Sequence, residues 1–524
     1  MAGVILGWFF SSAASPIEKS SSVTVDWMGA YLNSAKVGYS LYALGPAEEF
    51  PMGLVGKVDP PASLHPGGSL LLYSESEISV LASGTRNAMV WRLFARLEND
   101  YSLQSFRFHL GSSDAIIETA GEIHSGRMEV LISSSGDSRM EVLPIEEEKV
   151  FISESLPKHL AGRMARGESI NGDYLVYEPH QMAQSIWNIV LEGTETLQVL
   201  GNTVETTRIR LEADGFSPIT WIDKRGRVLK ESASLGEQTC FISYLETEED
   251  AKNPKFLNPA LATDLAGNLG SEPDLLRSTS VKAGKHIATP SQVRRMVVDL
   301  WNFEMDRPIP FSDTQKKLGE KNSETYSEKS PLRLEISSPV VPEVGSFGTT
   351  VLCRGPFDQY LASEPLVQTD HPEIVSLAGE LIEGTTSPWK KALAVYQWMA
   401  ENIETEFRIT LPSALEVLHS KKGDCNELST LFAALSRASG VPTRICTGLV
   451  YTQGAFYYHA WDEVLVSASP ETWIPIDPAL RQTQIDATHI KLGEGGFSDQ
   501  AYINGLVGKI RAHIVEYEMA DPSR

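Results

Sequence analysis

Three residues in the C-terminal part of the chain have side chains that could together cleave an amide bond. Cys425 follows the pair Gly423-Asp424, His459 comes later in an apolar stretch, and Asp477 stands before a proline. Acyl transfer through a thioester needs a thiol nucleophile, an imidazole base and a carboxylate that orients the imidazole. The sequence therefore predicts a Cys-His-Asp triad formed by Cys425, His459 and Asp477.

The residues after Cys425 predict a helix that carries the thiol in its first turn. Apolar residues recur at helical spacing at Leu428, Leu431, Phe432 and Leu435. Asp424 and Glu427 fit a capping box, and Gly440 is a stop signal. Because a helix N-terminus and a nearby histidine both favour the thiolate, we expect a Cys425 pKa below the usual ~8.5. The Cys425 backbone N–H is then the expected first donor of an oxyanion hole.

The base and its partner fall on predicted strands. Residues 443–451 and 456–466 read as two strands joined by a turn, and residues 473–477 read as the next strand. A neighbouring antiparallel strand would bring the Asp477 carboxylate to the ring of His459. The pattern predicts that Asp477 fixes the tautomer and orientation of that ring.

Each residue alone also has a structural interpretation. A free cysteine is usually a small buried hydrophobe, and a single histidine on an apolar face is usually a core residue with a satisfied hydrogen bond. The exposed, tightly turned approach through Gly423-Asp424 and the coincidence of three suitable residues favour catalysis. Cys446 is expected in the core, and His419 at the surface.

Four segments resemble motifs of the transglutaminase-like superfamily. They are residues 423–444, 459–463 (HAWDE), 473–478 (WIPIDP) and 486–492 (DATHIKL), the last being similar to a bacterial branch. The resemblance covers roughly residues 360 to 500. It implies a papain-like fold with Cys425 as nucleophile, His459 as general base and Asp477 as orienter.

Two positions depart from the bacterial pattern: Leu428, where that branch often has histidine, and Ala479, where it often has threonine. Neither belongs to the triad, so the departures bear on substrate contacts rather than on the chemistry.

The whole chain is expected to be an α+β protein with a C-terminal catalytic domain. We assign residues 1–24 to an apolar and Ser-rich segment, which is either an export signal or an ordinary terminus. Residues 25–250 alternate like strands and predict a large antiparallel β domain, a curved sheet or half-barrel. Residues 251–360 are assigned to a connecting β module with a polar loop, and residues 361–524 to the transglutaminase-like domain.

Local signals within these domains predict individual elements. A hairpin is expected around Arg225-Gly226, and residues 297–301 are expected to pair with residues 332–336. Helices are expected over 371–381, from Ser387-Pro388 and, with a capping box, from Ser413. A curved sheet can bind a ligand or peptide, or act as a spacer.

Composition limits the partners. The 524 residues carry a net charge of −23 with a pI near 5.0, which argues against nucleic acid and anionic membrane surfaces. Any membrane association is expected only through the N-terminus. The four cysteines are scattered, so neither a disulfide framework nor a metal site is predicted, and no cofactor is expected.

The predicted function is thiol-dependent acyl transfer on amide bonds of a protein or peptide substrate. Hydrolysis is favoured because no calcium-binding loop marks a regulated cross-linking enzyme. Two alternatives stay open: a protein-glutamine transglutaminase or deamidase, and a non-catalytic interaction protein of the envelope that binds through its β domain. A bacterial cell-envelope location is expected, with the cytoplasm as the alternative, while the substrate, the second oxyanion donor and the oligomeric state are left open.

Overall fold

The computed structural model divides the chain into two compact units, residues 2–278 and residues 279–524. This boundary lies within the segment 251–360 that the sequence assigns to a connecting module. The export-signal prediction falls mostly on residues 1–21, outside the described residues. The structure describes residues 22–55, 70–112, 116–145, 149–213, 216–235, 239–265, 272–304, 308–319, 325–339, 355, 357–407, 413–495 and 502–520.

The first unit is built on one large sheet. Within the described residues it has fifteen strands in the order β8-β7-β6-β5-β4-β3-β2-β1-β15-β14-β13-β12-β11-β10-β9. The strands are β1 (Thr24–Leu32), β2 (Ala35–Pro46), β3 (Leu70–Ala82), β4 (Thr85–Leu97), β5 (Leu103–Ser112), β6 (Ile116–His124), β7 (Arg127–Ser134), β8 (Asp137–Pro144), β9 (Val150–Phe151), β10 (Gly172–Glu178), β11 (Ala183–Val199), β12 (Asn202–Glu212), β13 (Ile219–Ile222), β14 (Val228–Ser234) and β15 (Cys240–Glu246).

The pairing confirms the predicted large antiparallel sheet. Neighbouring strands run antiparallel, apart from the short parallel pair β9 and β10. In the described part of the chain β8 and β9 are the two edges, so the sheet is not closed. The hairpin predicted at Arg225-Gly226 joins β13 to β14.

One face of this sheet is covered by its own chain. On β7 the side chains of Met128, Val130 and Ile132 are buried and alternate with more exposed neighbours, as expected for a sheet with one covered face. Helix α1 (Leu156–Ala165) packs against the β13–β14 hairpin, where Gly226 has φ +71°. A Cβ there would lie 2.5 Å from the Pro157 carbonyl oxygen, so only glycine fits this approach. The other helices of this unit are α2 (Glu248–Lys252), α3 (Leu261–Asp264) and α4 (Leu275–Ser278).

The second unit combines a helical layer with two sheets. Its helices are α5 (Pro372–Leu381), α6 (Pro388–Asn402), α7 (Ala414–Ser420) and α8 (Cys425–Ala438). The central sheet pairs β16 (Val281–Lys282), β25 (Ala455–Ala468), β24 (Thr443–Thr452) and β27 (His489–Gly495) in that order, with β26 (Glu471–Ile476) also on β25. A four-stranded sheet has the order β19 (Gln315–Leu318), β21 (Leu332–Ser337), β17 (Val293–Trp301) and β28 (Arg511–Met519). Short pairs join β18 (Phe303–Glu304) to β20 (Thr325–Tyr326) and β22 (Glu404–Thr405) to β23 (Lys422–Gly423).

Two apolar cores hold this unit together. One lies between the helices and the central sheet and includes Phe432 and Val464. The other joins the two sheets and includes Leu449, Ile490 and Val298. The predicted pairing of 297–301 with 332–336 is confirmed as β17 with β21. The sequence did not indicate that β28 pairs with β17 and completes their sheet.

The predicted helices are confirmed, with one correction at a cap. Ser387 caps α6 and Pro388 is its first residue. Ser413 precedes α7 but makes no side-chain cap. The Gln368 side chain instead accepts a hydrogen bond from the Leu415 N–H at 3.4 Å and donates one to the Ser413 hydroxyl at 3.1 Å. Over the described ranges no helix is long and apolar enough to cross a membrane.

Candidate active site

The thiol stands at the beginning of a well-capped helix. Asp424 is the N-cap of α8: its carboxylate accepts from the Asn426 N–H at 2.8 Å, and its own N–H donates to Glu427 at 3.0 Å. A Cβ on Gly423 would lie 2.5 Å from Glu427, which explains the glycine before this turn. The predicted capping box is thus confirmed, and the Cys425 N–H takes no part in it.

The predicted base and orienter are in contact. His459 lies on β25 and Asp477 directly follows β26, the antiparallel neighbour of β25. His459 Nε2 is 2.6 Å from Asp477 Oδ2, and both side chains are buried. Because a carboxylate only accepts hydrogen bonds, Nε2 carries a proton, and the neutral form of this ring has its lone pair on Nδ1.

The thiol lies against the same strand as the base. The Ala460 backbone N–H, next to His459 in sequence, hydrogen-bonds the Cys425 sulfur. In the described residues no hydrogen bond joins this sulfur to the imidazole. The structure therefore brings all three predicted residues to one place and leaves His459 Nδ1 available to a proton from the thiol or a substrate.

The charge around the thiol differs from the sequence expectation. Burial first, and then the Asp424 carboxyl, raise the pKa of Cys425 well above its usual range, while the Ala460 N–H acts in the opposite direction. The expected lowering of this pKa is therefore wrong for the free protein. The helix terminus that should favour the thiolate also carries the acidic cap that opposes it.

Hydrogen bonds hold both the backbone and the carboxylate of Asp477 in place. Its backbone exchanges hydrogen bonds with Gln482 at 2.8 and 2.9 Å, and its Oδ1 accepts from the Leu480 N–H at 2.8 Å. Burial alone would raise the pKa of Asp477, but hydrogen bonds and charge from two histidines, His459 and His489, hold it well below its usual range. Asp477 is therefore an ionised acceptor.

The second of these histidines was not predicted from the sequence. His489 begins β27, is fully buried, and places Nε2 3.2 Å from the same Asp477 Oδ2. Trp461 packs against both histidine rings, with ring centroids 6.2 Å from His459 and 5.3 Å from His489. The only sequence signal was the resemblance of residues 486–492 to a family motif, which gave His489 no role.

The other residues singled out in the sequence have structural places. Cys446 is buried beside Trp461 and Ile485, and His419 is exposed at 3.0 Å from Glu373, so both predictions are confirmed. Cys353 lies outside the described residues.

Two clusters of the described residues are close enough to hold a metal ion: His459, Asp477 and His489, and Cys446, Glu463 and Glu494. In the first, each ring Nε2 already hydrogen-bonds the carboxylate. In the second, Lys491 lies 2.7 Å from Glu494 and 2.9 Å from Glu463. These geometries fit hydrogen-bonded and ion-paired groups without a metal.

Comparison with known proteins agrees with this fold. Residues 375–478 match the family model of the Transglutaminase-like superfamily. This part of the chain is therefore a transglutaminase-like core with the papain-like α+β arrangement, joined here to a large N-terminal antiparallel sheet.

Individual similarities are more distant. An uncharacterized protein of Haemophilus influenzae is 27% identical over 112 residues, which are 19% of this chain and 30% of that protein. An uncharacterized protein of Mycobacterium tuberculosis is 26% identical over 165 residues, 28% of this chain and 52% of that protein. The chain thus spans about a third to a half of these relatives. The periplasmic domain of TgpA from Pseudomonas aeruginosa bound to ethylmercury has a TM-score of 0.26 at 15% identity, over 38% of this chain and 88% of that domain.

Proposed function

We propose that the second unit catalyses thiol-dependent acyl transfer on amide bonds, with hydrolysis of a protein or peptide substrate as the favoured outcome. The observation that carries the proposal is the His459–Asp477 hydrogen bond, 2.6 Å long, on the strand whose Ala460 N–H holds the Cys425 sulfur. In this proposal Cys425 is the nucleophile, His459 the general base and Asp477 its orienter.

The first half of the reaction forms a thioester. His459 Nδ1 takes the thiol proton while the sulfur attacks the amide carbonyl carbon. The carbonyl oxygen becomes an oxyanion, for which the Cys425 N–H at the beginning of α8 is a suitable donor. The C–N bond then breaks, and the imidazolium gives its proton to the leaving amine.

The second half releases the acyl group. Water attacks the thioester carbon as His459 Nδ1 accepts a proton, and the C–S bond breaks to regenerate the protonated thiol. Water as acceptor gives peptide hydrolysis or glutamine deamidation, whereas a lysine amine gives a cross-link. The same three residues serve all these outcomes, so the alternative of a transglutaminase or deamidase differs only in substrate and acceptor.

The resting state follows from the electrostatics of the thiol. Because burial and Asp424 raise the pKa of Cys425, the free site holds a neutral thiol beside His459 rather than a stable ion pair. His459 must then be uncharged to accept the thiol proton during attack. General-base activation of the thiol is therefore part of the proposal.

The experiment uses N,N-dimethylated casein, whose own lysines are blocked. New amino termini report peptide hydrolysis, ammonia release reports deamidation, and uptake of a fluorescent primary amine reports cross-linking. Cys425→Ala should abolish every signal that the wild type gives. Cys240→Ala makes the same change at a half-buried cysteine of the first unit and should leave the signals unchanged.

The non-catalytic alternative makes the opposite prediction. The proposal fails if none of the three signals appears and if iodoacetamide labels Cys425 no faster in the wild type than in His459→Ala. An envelope protein that binds partners through its β unit then becomes the better interpretation. The cell-envelope location stays a prediction, which fractionation of the native host would test.

A further inference from the structure

We infer that His489 is a positioning residue of the proposed active site: a buried imidazolium that holds the Asp477 carboxylate toward His459 and shares its negative charge. This inference rests on the proposed function, because it assigns a second ring to the orienter of the same base. Among the described residues, no hydrogen bond joins His489 to the thiol.

The hydrogen bonds of His489 fix its protonation state. Nε2 faces Asp477 Oδ2 at 3.2 Å, and Nδ1 faces the Asp486 backbone carbonyl at 3.2 Å and the Asp486 carboxylate at 3.4 Å. All these oxygens are acceptors, and a neutral imidazole has only one N–H to give. A neutral ring would therefore point one lone pair at an oxygen in a fully buried position, at a substantial desolvation cost.

The surrounding charges agree with an imidazolium. Burial alone would lower the pKa of His489, but the hydrogen bonds with Asp477 and Asp486 outweigh it and raise this pKa to about 9. Asp486 is itself held as an acceptor by Thr488, whose N–H lies 2.8 Å from Oδ1, and by the Gln482 amide at 2.9 Å from Oδ2. The row Asp486, His489, Asp477 thus alternates in sign within the core.

Other titratable groups also lie near this row. Asp462 interacts with Asp477, and burial followed by that interaction raises the pKa of Asp462. Tyr396, on α6, is close enough to feel both Arg481 and Asp477. Trp461 makes a T-shaped contact with the His489 ring, with the ring centroids 5.3 Å apart, and brings no charge.

The arrangement has a consequence for the base. A buried carboxylate paired with His459 alone would strongly favour the charged form of His459, which cannot accept the thiol proton. With His489 charged, 6.0 Å from His459 between ring centroids, the same carboxylate serves two rings and stabilises the His459 imidazolium less. His489 therefore holds the Asp477 carboxylate toward His459 while taking up part of its negative charge.

The experiment measures protonation directly and then its effect on the thiol. In full-length protein labelled with 15N-histidine, the His489 signals are assigned by their loss in His489→Asn. We expect both ring nitrogens protonated at pH 7, with deprotonation only near pH 9. Iodoacetamide labelling of Cys425, followed by peptide mass spectrometry across pH, gives the first deprotonation of the Cys425–His459 pair.

His489→Asn keeps a donor for Asp477 but removes the positive charge. In a plot of the Cys425 labelling rate against pH, the low-pH limb is the range in which the rate first rises. In His489→Asn this limb should lie about one pH unit higher than in the wild type, since a nearby cation is lost in a partly desolvated site. His419→Asn makes the same change at the exposed histidine and should leave the limb in place. Circular dichroism establishes that each variant is folded.

Three results separate the positioning role of His489 from the proposed activation of Cys425 by His459. A neutral His489 ring in the wild type at pH 7 overturns the inference whether or not the protein is active. An unmoved limb in folded His489→Asn also overturns it. A wild-type limb that does not depend on His459 refutes the proposed activation of Cys425, while the ring protonation at His489 is still measured independently.

Discussion

Asp477 is the residue on which the orientation of the proposed base depends, because its Oδ2 accepts the only described hydrogen bond of the His459 ring. Asp477→Asn replaces one of the two acceptor oxygens by an amide that donates. The His459 ring would then be held in the other tautomer, with its lone pair turned away from the thiol. We expect kcat to fall by about 10³–10⁴-fold, as orienting carboxylates do in other triads, measured with whichever casein signal the wild type gives.

The matched control for this substitution is Asp313→Asn, at an exposed position of the same unit. It should change kcat by less than a factor of about two, since exposed substitutions away from special contacts are nearly neutral. Full activity in Asp477→Asn, with the fold intact by circular dichroism, would remove Asp477 from the mechanism.

At the residue scale, the sequence predicted the three residues of the proposed site but not the second histidine, His489. Cys425, His459 and Asp477 stand near local signals: a cap, an alternating strand and a strand end. The contact of His489 with Asp477 depends instead on the return of the chain through 478–488 and on the pairing of β27 with β24. Such a long-range register is not encoded in local periodicity.

The cap of α8 couples helix stability to the thiol. Asp424→Asn keeps a good N-cap, since asparagine and aspartate are nearly equivalent there, but removes the carboxyl that helps raise the pKa of Cys425. We therefore expect a lower thiol pKa and faster iodoacetamide labelling at pH 8, with stability changed by only a few tenths of a kcal/mol. The measurement is the labelling rate across pH with thermal unfolding alongside.

Asp424→Ala separates the two effects. It removes the charge and also the cap, so labelling should again be faster while stability falls by about 1 kcal/mol. Slower labelling in both variants would show that the Asp424 carboxyl at the beginning of α8 does not oppose the thiolate.

The central sheet carries a buried ion network that links three strands. Glu463 on β25 pairs with Arg444 on β24 at 2.6 Å and with Lys491 on β27 at 2.9 Å, all largely buried. Burial would raise the pKa of Glu463, but Lys491 and Arg444 outweigh it and lower the pKa. A lowered folded-state pKa means that Glu463 contributes stability above its unfolded pKa of about 4.3, and that this stability is lost as pH falls through the folded value.

Lys491→Met tests this network. Removing Lys491 leaves Glu463 paired with Arg444 alone. We therefore expect the free energy of unfolding to fall by about 3 kcal/mol at pH 7. Because the pKa of Glu463 is lowered in the folded protein, the difference from wild type should shrink only as pH falls below the unfolded value and Glu463 becomes protonated. Hydrogen exchange of peptides from 443–495 measures it, and a pH-independent difference would contradict the electrostatic explanation.

At the element scale, local rules predicted most boundaries of the second unit. The strand predicted over 443–451 extends over Thr443–Thr452, and α8 begins and ends at its predicted caps. The cap at Ser413 was wrong because the side chain of Gln368, a distant residue, accepts from the Leu415 N–H that a Ser413 cap would use. Local chemistry fixes an element end only where no tertiary partner competes for the same group.

At the scale of the whole molecule, each compact unit has its own sheets, and the proposed site lies entirely within residues 279–524. The sequence placed the catalytic domain at 361–524 because the recognisable motifs begin near there. Long-range pairing extends the unit further: β28 pairs with β17, and β16 pairs with β25. Neither partnership has a local signal, since each joins strands far apart in the chain.

This organisation predicts how the unit behaves when separated. A fragment 279–524 keeps both sheets and both cores and should fold cooperatively. A fragment 361–524 lacks β16, β17, β19 and β21, so β28 loses its described partner and the apolar side chains around Leu449, Ile490 and Ile514 lose their covering. Because exposed strands and apolar surface favour association, we expect this shorter fragment to aggregate or unfold.

Gel filtration and thermal unfolding compare the two fragments, and iodoacetamide labelling of Cys425 reports on the site itself. The 279–524 fragment should retain the His459-dependent labelling of the full chain, since all groups that contact the pair are present. In the shorter fragment, Cys425 should react with iodoacetamide as fast as it does when the same fragment is unfolded in urea. A monomeric 361–524 fragment with a cooperative unfolding transition would contradict this prediction. It would show that the transglutaminase-like core folds stably without the four-stranded sheet.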